Sequence, residues 1–299
     1  MTDSLNVTFD DSLVDWSPTD DTGYSPQVAK EDTCDSYAAA GMVEFPDHLW
    51  IEPKLWKDVA RENDKYKTWP DDWRNRFSNQ SPTHECTSHA LLQNMEIAWN
   101  RQRKSKKDAV YLSPISVYAE ANPRQWGGAS VQGVMRIAMR RGMLPEHHGP
   151  KGQNTQRELF QHTIHGTCGK GNATQSSGKW VPLKNFPPGW EKTSRHFKPI
   201  EVINIRSWEQ HVCLVLHCIC VSNGRSGHAI PHVKIVWRDG RANDPYYGLH
   251  SQYSDSYDMY RFDSIKAIKA GVDSAYGIVS TTRPDDWSRP AGADMKGAA

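Results

Sequence analysis

Apolar and polar positions along the chain change period part-way through. In THECTSHALLQNMEIAWNRQRK (83–104), Ala90, Leu91, Asn94, Met95 and Ala98 recur at helical spacing, which predicts a helix there. LSPISVYAEA (112–121) opens with Ser113 and Ser116 around Pro114, a helix start. ASVQGVMRIAMRRGMLPE (129–146) predicts a third helix, stopped near Gly142 and Pro145. Further on, CLVLHCICV (213–221) and HAIPHVKIVW (228–237) read as strands, with Asp239-Gly240 as a hairpin turn. Helices first and strands second predict an α+β fold with an N-terminal helical lobe and a C-terminal β lobe. No internal repeat is visible.

The flanks lack such patterns. Residues 1 to about 36 are rich in Asp, Ser and Thr without apolar periodicity and read as a flexible acidic arm. FPDHLWIEPKLWKDV (45–59) carries enough aromatic and aliphatic side chains to pack on something, and 283–299 reads as a loose tail. The expected division is an arm and packing segment over 1–67, a domain over 68–282 split into lobes at 149/150, and the tail.

Composition narrows the function classes. The 299 residues include 12 Trp and 11 Tyr within a modest 37% hydrophobic fraction, enough for a proper core. A net charge of +1 argues for no polyanionic partner, and the basic stretches NRQRKSKK (100–107) and MRRG (139–142) read as solvated helix ends rather than nucleic-acid contacts. No apolar run approaches the ~20 residues of a membrane helix. The start, MTDSLNVTFDDSLVDW, lacks the basic-then-apolar pattern of a secretory signal. The six cysteines, at 34, 86, 168, 213, 218 and 220, form no disulfide framework. These features predict a protein of a reducing intracellular compartment with no disulfide. His162, His165 and Cys168 lack the spacing of a zinc motif and read as a polar loop. No metal and no cofactor is expected.

Cys86 sits at the predicted N-terminus of the first helix, where unpaired N–H groups and the helix dipole favour a thiolate and should lower the thiol pKa. A cysteine nucleophile also needs an imidazole to exchange protons with and donors for a tetrahedral oxyanion. By itself, a cysteine at a helix start is more often a small buried apolar residue.

The surroundings of Cys86 resemble the start of the mature domain of papain-family cysteine peptidases. Asp72-Trp73-Arg74, Asn79-Gln80 and Cys86 keep the family's order and its Gln-to-Cys spacing. LSP (112–114) and the Gly-Gly, helix, Gly-apolar run of 127–146 also resemble family elements, and GHAI (227–230) is similar to the strand that carries the family's base. The resemblance implies a papain-like two-lobed fold with a cleft between the lobes. It implies Cys86 as nucleophile, His228 as base, Gln80 with the Cys86 N–H as oxyanion donors, and Gly127 and Gly128 lining the substrate cleft. A third residue should orient the imidazole. Asp244, in Asn-Asp-Pro wording similar to the bacterial C39-type branch, takes that role, with Asn243 as the fallback. Geometry opposes it: a tight hairpin at Asp239-Gly240 sets Asp244 opposite Ile235, far from His228 and nearer His232.

The chain departs from the family at Thr87, where most members carry an aromatic, and at Thr83, in place of a disulfide cysteine. His84 and His89 flank the nucleophile and read as incidental. The resemblance implies a thiol peptidase or related amide hydrolase acting on a peptide or protein through an acyl-enzyme. Two alternatives remain: an inactive binding module of a large assembly such as a virus or phage particle, docked through the acidic arm, and transglutaminase-type transfer.

Overall fold

The computed structural model describes residues 42–70, 85–101, 110–121, 129–145, 186, 188–225, 228–237, 245–250, 260–263 and 275–282. Its helices are α1 (Trp56–Tyr66), α2 (Cys86–Asn100), α3 (Ile115–Ala121), α4 (Val131–Arg141), α5 (Trp190–Ser194) and α6 (Trp208–Leu216). Its strands are β1 (Met42–Val43), β2 (Pro199–Ile205), β3 (Val221–Arg225), β4 (His228–Trp237), β5 (Pro245–His250), β6 (Tyr260–Asp263) and β7 (Ala275–Thr281). The strands form one sheet in the order β1-β2-β7-β3-β4-β5-β6, antiparallel except where β1 joins β2 in parallel. The α+β class and the helix-then-strand order match the expectation from sequence.

Strand alternation divides the core into two layers. Val202, Ala229, Tyr276 and Ile278 face one way and pack with α2, α3 and α4. Ile203, Ile205, Val221, Ile230 and Ala275 face the other way and pack with α1 and α6. Gly277 belongs to this second face, where a Cβ would stand 2.7 Å from Leu214 Cδ1, so α6 sits close on β7 and a larger residue would have to push the Leu214 side chain aside.

The three predicted N-terminal helices form where the pattern placed them. α4 is capped by Ser130, whose Oγ accepts from the Gly133 N–H at 2.8 Å, and ends at Gly142 with φ of +86°. A Cβ at Gly142 would fall 1.8 Å from Ser194 O, so the helix stop and its packing on α5 both demand glycine.

CLVLHCICV is a correction. Cys213–Leu216 closes helix α6, Cys218 turns the chain with φ of +58°, and β3 begins only at Val221. A capping box at Ser207 and Gln210 starts α6 upstream of the apolar run. The helix lies between the sheet and α1, so it is apolar nearly all round, a pattern that a short buried strand shares.

The segment before α2 is part of this body. β1 is hydrogen-bonded into the central sheet, and Trp56, Ala60 and Trp69 are core residues. Trp56 Nε1 donates to Ile51 O at 2.8 Å and its ring meets Trp208 edge-on at 5.4 Å. Asn63 Nδ2 donates to Leu216 O at 2.8 Å, satisfying a carbonyl at the end of α6. The packing anticipated for 45–59 is therefore against α6.

Trp56→Ala is expected to cost ~3–5 kcal/mol of stability, as for other buried Trp truncations. Urea unfolding checks this, and a cost under ~1 kcal/mol would mean that the segment is peripheral.

Candidate active site

The geometry around Cys86 is set from the middle of α2. Asn94 Nδ2 donates to Ser222 Oγ at 3.2 Å and to Tyr276 O at 3.1 Å, and its Oδ1 accepts from the Ile278 N–H at 3.2 Å. Ser222 Oγ in turn donates to Ala90 O at 3.0 Å. Helix, β3 and β7 are thereby pinned in one register. Asn94 entered the sequence pattern as one position of a helical stripe, and its side chain proves to be the clamp.

Two turns up, Cys86 is the first residue of α2 and is fully buried. Its Sγ accepts from the Ala229 N–H at 3.4 Å. That bond brings the first turn of α2 against the start of β4, which His228 opens as expected. His228 is buried at 4% exposure and pairs across the β3–β4 hairpin with Arg225. Thr87 Oγ1 and Ser88 Oγ, next along the helix, are buried without a hydrogen-bond partner.

The expected lowering of the thiol pKa does not hold. Burial pushes the Cys86 thiol up from 9.0 to about 12, while hydrogen bonds from the backbone of Ala229, Thr87 and Cys86 pull the other way and are outweighed. The helix N-terminus supplies donors, but a site sealed from water removes more than they return.

Glu85 and His89 flank the cysteine and are 1% and 0% exposed. Their side chains pair, with Nε2 to Oε2 at 3.8 Å. The i,i+4 spacing of an acid and a histidine around Cys86 was the available sequence signal. His232 is also engaged elsewhere: its Nδ1 lies 2.9 Å from His211 Nε2, both rings being fully buried. Burial first, and the neighbouring His232 second, hold the His211 pKa well below 6.5, so His211 is the neutral partner in this contact.

Gln80, Gly127, Gly128, Asn243 and Asp244 lie outside the described residues, as do Asp72-Trp73-Arg74, Thr83, His84, His162, His165 and Cys168. The β4–β5 ladder is described from Pro245 onward. It sets Pro245 opposite Trp237 and Leu249 opposite His232, with an irregularity between His232 and Lys234. Pro245 thus joins the ladder nine residues along β4 from His228, roughly 30 Å at strand rise. Asp244 itself lies outside the described residues.

Among the described residues Cys86, Cys213, Cys218 and Cys220 are free thiols. No described helix is long and apolar enough to cross a membrane.

No family model matches the chain, and no curated protein matches it. Solved structures align with it at low identity. Xylellain, a cysteine protease from Xylella fastidiosa, is 11% identical over 69% of this chain and 82% of its own, with a TM-score of 0.48. Procathepsin B S9 from Trypanosoma congolense is 10% identical over 88% and 87%, with a TM-score of 0.48. Bromelain protease from Ananas comosus is 11% identical over 76% and 96%, with a TM-score of 0.42.

The raised thiol has a consequence for stability. The unfolded chain releases the Cys86 proton near 9.0 and the folded chain near 12, so this contribution is whole below pH 9 and is lost as pH climbs between the two. From pH 8 to pH 10 Cys86 alone should remove about 1 kcal/mol. Urea unfolding at both pH values should show a shallower loss in Cys86→Ser, and an unchanged slope would contradict the burial argument.

Proposed function

We propose that this chain is a papain-like, thiol-dependent amide hydrolase working on peptide or protein substrates. One observation carries the reading: a helix-initiating cysteine whose Sγ is held by the Ala229 N–H at 3.4 Å, at the start of the strand that His228 opens.

The chemistry follows from the electrostatics. With its pKa near 12, an isolated Cys86 thiolate costs about 7 kcal/mol at neutral pH. The thiolate therefore has to form as one half of an ion pair, with the proton passing to the His228 imidazole. Sγ attacks the substrate carbonyl, and the Cys86 N–H with the Gln80 amide receives the oxyanion. The imidazolium then protonates the leaving amine. Water, deprotonated by the same imidazole, releases the acid from the thioester. Gly127 and Gly128 would admit the substrate backbone.

A second reading has one observation in its favour, the complete burial of Cys86. It makes the chain a binding module of a larger assembly, docked through the acidic arm, with no turnover.

Turnover of a peptide library separates the two. Hydrolysis predicts loss of activity in Cys86→Ser and His228→Ala, with little further loss on combining them. Gln80→Ala should fold normally and lose ~10²–10³ in rate. Activity that survives Cys86→Ala would refute the mechanism. A wild-type chain with no turnover, whose incorporation into a complex depends on residues 1–36, would establish the second reading.

A further inference from the structure

Residues 85, 89, 93, 96 and 100 lie along one side of α2 at spacings of four and three. All five are polar, and none is more than 1% exposed. The far end of this stripe serves the backbone. Glu96 Oε1 accepts from the Leu112 N–H at 2.8 Å, and Asn100 bonds both the N–H and the carbonyl of Val110, at 2.8 and 3.0 Å. At the near end, Glu85 and His89 bracket Cys86 and pair with each other at 3.8 Å.

A carboxylate buried one residue before a cysteine opposes the thiolate, since two negative charges would share a site with little water. A protonated His89 one helical turn on would cancel that charge. We propose that His89 is a positioning residue of the Cys86 site, which neutralises the Glu85 carboxylate and so allows Cys86 to ionise. The proposal rests on the peptidase reading and concerns the regulation of that same thiol.

Other described ionisable groups on the elements packed against α2 are engaged elsewhere or belong to the mechanism. On β4, His228 is the base, His232 is bonded to His211, and Lys234 pairs with Asp64 at 3.1 Å. On α3 and α4, Glu120 is ion-paired with Arg140 and Arg141, and Tyr118 and Arg136 are the other ionisable side chains there; β7 brings Tyr276. Within one turn of Cys86, Glu85 and His89 form an ion pair.

The test uses the full chain and iodoacetamide at pH 7, with mass mapping of Cys86. In His89→Gln the buried carboxylate loses this ion pair, and the alkylation rate should fall about tenfold, the effect of one pKa unit. In the double variant Glu85→Gln/His89→Gln the rate should return to the wild-type value, which a packing role for His89 would not produce. An unchanged rate in His89→Gln, or a double variant as slow as the single, overturns the proposal. Should His89→Gln not fold, imidazole NMR of Glu85→Gln decides. The His89 midpoint should drop by about one unit from wild type, and an unmoved midpoint overturns the pairing. Peptide turnover by the wild type reports separately on the peptidase reading. A folded wild type in which Cys86 is never alkylated would overturn both.

Discussion

A single side-chain amide, Asn94, fixes this molecule's site. It sits mid-way along a wholly buried helix and bonds a hydroxyl, a carbonyl and an N–H on two strands of the sheet. In a low-dielectric interior, sliding or rotating α2 would strand all three groups at about 1–3 kcal/mol each. The first turn of the helix, about 12 Å away at helical rise, therefore has one place to go. That place sets Cys86 Sγ against Ala229, beside the histidine that opens β4.

The opposite face of the sheet is held just as firmly. α6 presses closely on β7 at Gly277, and α1 covers α6 through the Trp56–Trp208 contact and the Asn63 bond to Leu216. β4 is thus supported on both sides, by α2 and by α1 with α6. The pair proposed here, divided between a helix and a strand, would need both supports, because small misplacement of either group is costly in rate.

Much of this arrangement was legible in the chain. Helical spacing placed α2, α3 and α4, and Gly-His-Ala-Ile placed the start of β4. What escaped had physical causes. α6 lies between two layers, so its buried surface extends nearly all round and no period showed. β1 is two residues long, too short for any pattern, and only the sheet reveals it. Asn94 counted as one more position of a stripe because spacing does not report what a side chain bonds. The thiol pKa was misjudged because the helix dipole is visible in sequence and burial is not. Glu85 and His89 were within reach, since acid and imidazole one turn apart form a known pair.

Charge unifies the site. A thiol held near 12 is inert alone, and everything proposed for Cys86 concerns how this buried sulfur comes to carry a negative charge. His228 would supply the counter-charge during reaction. The most direct measurement is rapid acid quench of the wild-type chain during turnover of a peptide ester, followed by peptide mapping. The account predicts an acyl group on Cys86 Sγ that forms before product and disappears when substrate is exhausted. Turnover with no acyl group on Cys86, or with the group on another residue, would contradict it.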